Sequence, residues 1–259
     1  MASFAQAGAT ENSWYLNIML SLILLSETLA LMVAIFYYPR YKLTIFKWLL
    51  PFLLFILTVE LIGTALREFF KLGNSSVYSL SIPVEFSFYT FLFFHFLKSV
   101  WSRRVLLFLW GAMIVFDIIS NILHFPDIFD FKILLLGNIL MLISCSLYFW
   151  ELFALENEMS LLEIPFFWIS AGVFLFNLGE ISYTLLGNEL ISKYDTFSNF
   201  LKYFETILCV ILYSMIIIAI LKASKPIAKS EWNMAHDLWK CECAGSSRLV
   251  RSVDVVYIQ

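Results

Sequence analysis

Seven uninterrupted apolar stretches, each about as long as a bilayer core is thick, constrain this chain more than any other feature. A hydrocarbon core of about 30 Å takes roughly 20 apolar residues in a helix. Residues 14–38, 45–66, 78–97, 105–123, 133–154, 166–186 and 203–222 each reach that length. The breaks carry ordinary punctuation: Pro39, Arg40 and Lys42, then Lys71, Gly73 and Asn74, then Lys98 to Arg104, then Pro126 and Asp127, and last Gly187, Asn188 and Glu189. The runs are continuous and not alternating, which excludes a barrel and leaves α-helices as the spanning element. Short loops between spans predict an all-α membrane protein, a seven-transmembrane-helix antiparallel bundle over residues 14–222. It has a short outer N-terminus (1–13) and a polar tail (223–259).

Composition removes the competing classes. Hydrophobic residues make up 61% of the chain and charged residues 14%, where a soluble domain carries about a quarter charged. The 17 basic and 20 acidic residues nearly cancel, so no basic field is present to hold nucleic acid. A soluble enzyme, a disordered regulator and a DNA-binding protein are excluded together. The lipid bilayer is the partner such a chain must have.

Orientation follows from Lys and Arg, which favour the cytoplasmic side. With the N-terminus outside, the inner segments hold 12 of these residues and the outer segments 5. The split predicts N-out and C-in. One inner loop runs against it, because residues 155–164 carry Glu156, Glu158 and Glu163 with no base. The first 12 residues lack the basic region of a secretory signal, so the first helix is expected to be retained. Trp14, Trp48, Trp101, Trp150 and Trp168 fall near span ends, as interfacial aromatic anchors do. In the tail, residues 231–240 offer a short interfacial helix with Trp232, Leu238 and Trp239.

Several chemistries leave signatures that are missing. Retinal needs a lysine in the middle of the last helix, and residues 203–222 contain only Lys222, at the end. No cofactor is expected and retinal is excluded. His95, His124 and His236 are too scattered for a zinc protease, whose two histidines sit one turn apart with a glutamate. Cys145, Cys209, Cys241 and Cys243 provide neither four zinc ligands nor a disulfide framework. No metal site and no catalytic residue is assigned.

Acid inside the membrane is what remains. Glu27, Glu60, Glu85, Asp117, Glu180 and Glu205 lie within the spans, and no Lys or Arg lies mid-span beside them. At the bilayer centre each costs about 2.5–3.5 kcal/mol. Six facing lipid would cost roughly 15–20 kcal/mol, more than a typical net stability. They are therefore expected to face the bundle interior, lie near an interface or hold a proton. With alternating span direction, all but Glu27 fall toward the outer side of the midpoints, and Glu27 lies near the middle. Helical spacing adds polar company on the same faces: Ser81, Glu85 and Tyr89 after Pro83, then Asn177, Glu180 and Thr184, then Asp117 with Asn121, and Glu60 with Thr64. Asn138 sits at a similar level. Polar side chains also serve as interhelical glue, each contributing about 0.6–2 kcal/mol, but glue has no reason to prefer one leaflet. The pattern predicts an acid-lined pocket open to the outside, with Glu85, Glu180, Asn177 and Asp117 in one shared site. Two carboxylates close together there share a proton.

Two motifs carry a family resemblance. Ile82-Pro83-Val84-Glu85-Phe86 in the third span, and Ile164-Pro165-Phe166-Phe167-Trp168-Ile169-Ser170-Ala171-Gly172 entering the sixth, resemble an uncharacterised family of seven-transmembrane-helix membrane proteins of Bacteroidetes bacteria. The resemblance covers residues 14–222 and implies a seven-helix fold in a bacterial inner membrane; it implies no activity. The residues themselves leave two functional classes in front. One is a small sensory or receptor-like bundle that passes a helix shift to a cytoplasmic signalling partner. The other is a proton- or cation-coupled transporter. A subunit of a membrane complex is a third. An intramembrane enzyme using paired carboxylates has no specific motif behind it, and oligomeric state is not legible.

Overall fold

The computed structural model describes residues 13–69, 75–124, 131–154, 161–190 and 195–225. Among these residues all regular structure is helical. There are seven α-helices: α1 (Ser13–Tyr41), α2 (Leu49–Glu68), α3 (Ser75–Phe96), α4 (Val100–His124), α5 (Phe131–Ala154), α6 (Pro165–Leu190) and α7 (Asp195–Ala223). Short 3-10 turns at Ile45–Trp48 and Leu161–Glu163 precede α2 and α6. Six of the seven, all but α4, are long and apolar enough to cross a membrane. The described part of α4 carries Arg103, Arg104 and Asp117. Large apolar side chains such as Phe36, Leu61, Phe108 and Ile207 are exposed on the outer faces, a surface suited to lipid and not to water. The chain is an integral membrane protein by this measure.

Local chemistry explains where the helices differ from the predicted spans. α1 runs through Pro39 and ends at Tyr41, inside the predicted break of residues 39–42. Proline removes one amide from the helix ladder. In the last turn that loss is small, and the Tyr41 hydroxyl donates to the Ala34 carbonyl at 2.8 Å. α2 begins at Leu49, four residues after the predicted start, with Pro51 in its first turn where amides have no helical partner in any case. Pro83 stays inside an unbroken α3, and Ser87 Oγ donates to the Pro83 carbonyl at 2.6 Å. α4 starts at Val100, five residues earlier than predicted, because Glu151 at the end of α5 binds the chain just ahead of it. Its carboxylate accepts the Lys98 amide at 2.6 Å and the Ser99 amide at 3.2 Å. α6 runs through the predicted break at Gly187, Asn188 and Glu189 to Leu190, and α7 begins at Asp195, eight residues before the predicted Tyr203. The expected breaks at residues 71–74 and 125–127, the N-terminus, and the tail helix with Cys241 and Cys243 lie outside the described residues.

The helices pack as a closed ring. α1 packs on α2, α2 on α3, α3 on α5, α5 on α6, α6 on α7, and α7 returns to α1. α4 packs chiefly on α3 and α5 and stands outside the ring. Trp110 of α4 holds it there by donating to Ser87 Oγ of α3 at 3.0 Å. Small residues set the close approaches, as in membrane bundles generally. A Cβ added at Gly179 of α6 would strike Leu208 of α7, and one added at Gly137 of α5 would strike the Phe86 ring of α3.

One end of the ring is filled with aromatic rings. Phe96 stacks on Phe166 with centroids 3.9 Å apart, and Phe93 and Tyr148 meet Phe166 edge-on at 5.1 and 4.9 Å. Phe46, from the turn before α2, closes on Phe96 at 5.6 Å. Phe93 and Phe166 have no exposed surface. Trp48, Trp101 and Trp150 are exposed around the same end, where an interfacial belt would lie.

Candidate functional site: an acid-lined chamber in the ring

Between the inner faces of α2, α3, α5, α6 and α7 lies a small chamber. It offers about 40 Å³ to the centres of water-sized molecules. One water needs about 10–15 Å³ on that measure, so two to four waters or a similarly small occupant fit. A drug-sized ligand does not. Three carboxylates line it: Glu60 of α2, Glu85 of α3 and Glu180 of α6. No Lys, Arg or His is among its lining residues.

Each wall follows from local sequence. On α2, Glu60 and Gly63 are one turn apart. The bare face of Gly63 admits Tyr78, since a Cβ there would lie 2.8 Å from its hydroxyl. Tyr78 then donates to Glu60 Oε2 at 3.0 Å. On α3, the four-residue recurrence of Ser81, Glu85 and Tyr89 turns all three to the chamber. Phe86, beside them, lodges against Gly137 and so brings the next residue of α5, Asn138, to the wall. On α6, Asn177 donates its Nδ2 to the Val173 carbonyl at 2.7 Å. That bond fixes the amide and leaves Oδ1 buried with no protein partner. Thr184 bonds back to the Glu180 carbonyl at 2.8 Å and serves its own helix.

Two polar groups at the chamber stand without protein partners. Asn138 is 1% exposed, and neither Oδ1 nor Nδ2 has a protein partner; buried amides in proteins are almost always bonded. The Glu85 carboxylate, half-buried, makes no hydrogen bond among the described residues.

Of the ten residues singled out in the sequence, Glu60, Ser81, Glu85, Tyr89, Asn138, Asn177 and Glu180 line this one space. Three do not. Asp117 is buried on α4, outside the ring, so it does not join the site predicted for it with Glu85 and Glu180. α4 itself packs on α3 and α5 from outside the ring, and the side chain of Asn121, its predicted companion, lies outside the described residues. Glu27 is on α1, which contributes nothing to the lining; its Oε1 accepts the Tyr213 hydroxyl of α7 at 3.0 Å. Glu205 is buried on α7 away from the chamber wall. None of the five that are fully buried reaches lipid.

Tyr78 and Tyr213 were not legible as site residues. Tyr78 stands at a span start, where tyrosine ordinarily marks the interface, and Tyr213 sits in an apolar run. Their partners lie 18 and 186 residues away in the chain. Lys222, at the end of α7, bonds Glu163 of the turn before α6 at 3.0 Å. This hydrogen bond, with the charges of Lys222 and Lys225, holds the Glu163 carboxyl below the usual carboxylate range. It also accounts for one acid in the loop that disagreed with the basic count.

Among the described residues no three His, Cys, Asp or Glu side chains converge as metal ligands. The fold and site define a helical membrane bundle around a small acidic chamber. Comparison with protein-family models, with curated proteins and with solved structures returned no match to the chain.

Proposed function

We propose that this protein is a small receptor-like bundle that takes a proton or a small monovalent cation into the acid-lined chamber from the outer side. Cation occupancy shifts the helices and is read by a cytoplasmic signalling partner. The observation that carries this reading is the chamber itself, with three carboxylates, no basic side chain in its lining, and space for only a few waters. Negative charge in such a place needs a positive occupant. In the same proposal all seven helices span a bacterial inner membrane with N-out and C-in topology. α4 has 25 residues, about 37 Å at the helical rise. The aromatic end then lies toward the cytoplasm, and its dense packing supports sensing over passage. The membrane assignment to bacteria rests on the family resemblance.

A proton- or cation-coupled carrier is the second reading, favoured by the further buried acids Glu27 and Glu205 on α1 and α7. One experiment separates the two. The full chain is reconstituted in liposomes; tryptophan fluorescence reports conformation, and internal dyes report proton and cation flux. The receptor reading expects an external-cation or pH-dependent fluorescence change that Glu85→Gln removes, with no net flux. Flux that depends on Glu85 would replace it with the carrier.

A further inference from the structure

Which small cation the chamber prefers is written in its walls, and the answer rests on the cation reading above. The polar groups aimed into the space are mostly acceptors. Glu85 has no protein donor among the described residues, and Asn177 Oδ1 and Asn138 Oδ1 are buried and unpartnered. Asn177 is held in that sense by its bond to Val173. Glu60 accepts from Tyr78 at one oxygen, Oε2. Such acceptors, on α2, α3, α5 and α6, surround the occupant from separate directions.

A bare alkali ion is poorly served by this arrangement. It exchanges its water shell for a close ring of oxygens, whereas here the acceptors are interspersed with Ile56, Val59, Ile82 and Leu134. Among the described residues no three His, Cys, Asp or Glu side chains are grouped closely enough to hold a metal ion. An N–H donor cation asks for something different: a few directed acceptors at hydrogen-bond distance, and aromatic faces between them. Tyr78, Phe86, Tyr89 and Phe176 put rings in the lining, and rings attract ammonium groups through their quadrupoles. Asn138 contributes a donor as well as an acceptor, so one water accompanies the cation and accepts from Nδ2. The volume has room for both.

We infer that the chamber is a binding site for an N–H donor cation of ammonium or methylammonium size, selected over sodium and potassium by directed acceptors and aromatic walls.

The test uses the full chain in lipid nanodiscs at fixed pH and ionic strength, with melting temperature followed against chloride salts. Ammonium and methylammonium are expected to raise the melting temperature saturably, with half-saturation at least tenfold below any effect of sodium or potassium. Tetramethylammonium, which has no N–H and is larger, is expected to have no effect. Glu85→Gln should raise the half-saturation at least tenfold. Asn138→Leu, close in volume and free of polar atoms, should do the same and decides the matter if the first variant fails to fold. Equal effects of sodium or potassium would overturn the inference and leave the cation reading standing. A melting temperature that moves with pH but with no salt would also overturn it, leaving a proton site. An ammonium effect untouched in both variants would place the binding elsewhere and overturn it. No response to any cation or to pH would remove the inference and the proposed function together.

Discussion

Asn138 concentrates the tension between stability and function at the scale of one residue. A buried amide with no protein partner costs about 1–3 kcal/mol, and nothing in the fold requires it to be polar. Asn138→Leu is therefore expected to raise stability by about 1–2 kcal/mol while weakening the cation-dependent shift; thermal unfolding with and without ammonium chloride reads both effects. A variant that loses stability and keeps the shift would contradict this account of the residue. Its neighbour behaves in the opposite way. A Cβ at Gly137 collides with the Phe86 ring, so Gly137→Ala should cost about 1–3 kcal/mol. Phe86→Leu in the same chain should recover much of that loss, because the two positions share one contact. Full additivity of the two changes would show that the ring does not lie against the glycine. The amide was legible from sequence as a polar residue in an apolar run. The glycine was not, because its meaning lies in a ring from another helix.

At the scale of elements, the start of α4 depends on a residue 52 positions away. Glu151 accepts the amides of Lys98 and Ser99, and Arg103 closes the same turn by donating Nε to the Leu97 carbonyl at 2.7 Å. Charge-assisted bonds to exposed amides contribute modestly, and Glu151→Gln should cost about 1 kcal/mol. Hydrogen exchange should show faster exchange across residues 98–104 and little change in α6 and α7. Uniform protection in the variant would mean that α4 starts at Val100 for another reason. Helix ends elsewhere teach a similar lesson. Pro39 and Gly187 read as punctuation, yet the helices run through both, and Pro83 sits inside an unbroken α3. In lipid an interrupted backbone has no water to satisfy it, so a helix continues wherever side-chain hydroxyls or neighbours can serve the freed groups.

For the whole molecule, topology and pH response are the quantities to measure. The 12 to 5 distribution of basic residues predicts that a reporter fused after Ser230 is cytoplasmic and one after Gly73 is outside. A cytoplasmic signal at Gly73 would invert the chamber along with the fold. The Glu163–Lys222 pair ties the turn before α6 to the end of α7. Because Glu163 titrates below its ordinary range, its contribution is full above the unfolded value and is lost as pH falls through the lowered folded value. Glu163→Gln should flatten that acidic limb of the stability profile by a small amount, since both partners have access to solvent. An acid limb identical to the wild type would mean that the pair does not form.

What the sequence determined by itself is what depends on composition and on distance along one helix. Continuous apolar runs demand helices in lipid, six carboxylates without bases demand shelter inside the bundle, and four-residue spacing puts Ser81, Glu85 and Tyr89 on one face. Tertiary structure alone decided which faces meet. Periodicity gives the direction of a side chain about its own axis, but not which helix stands opposite. Glu85 and Glu180 came to share a chamber because α3 and α6 both face the inside of a six-membered ring. Asp117, with the same spacing credentials, was set aside when α4 packed outside it. The ring closes where Gly137 and Gly179 allow backbones to approach, and those approaches are properties of pairs of helices that no single run of residues contains.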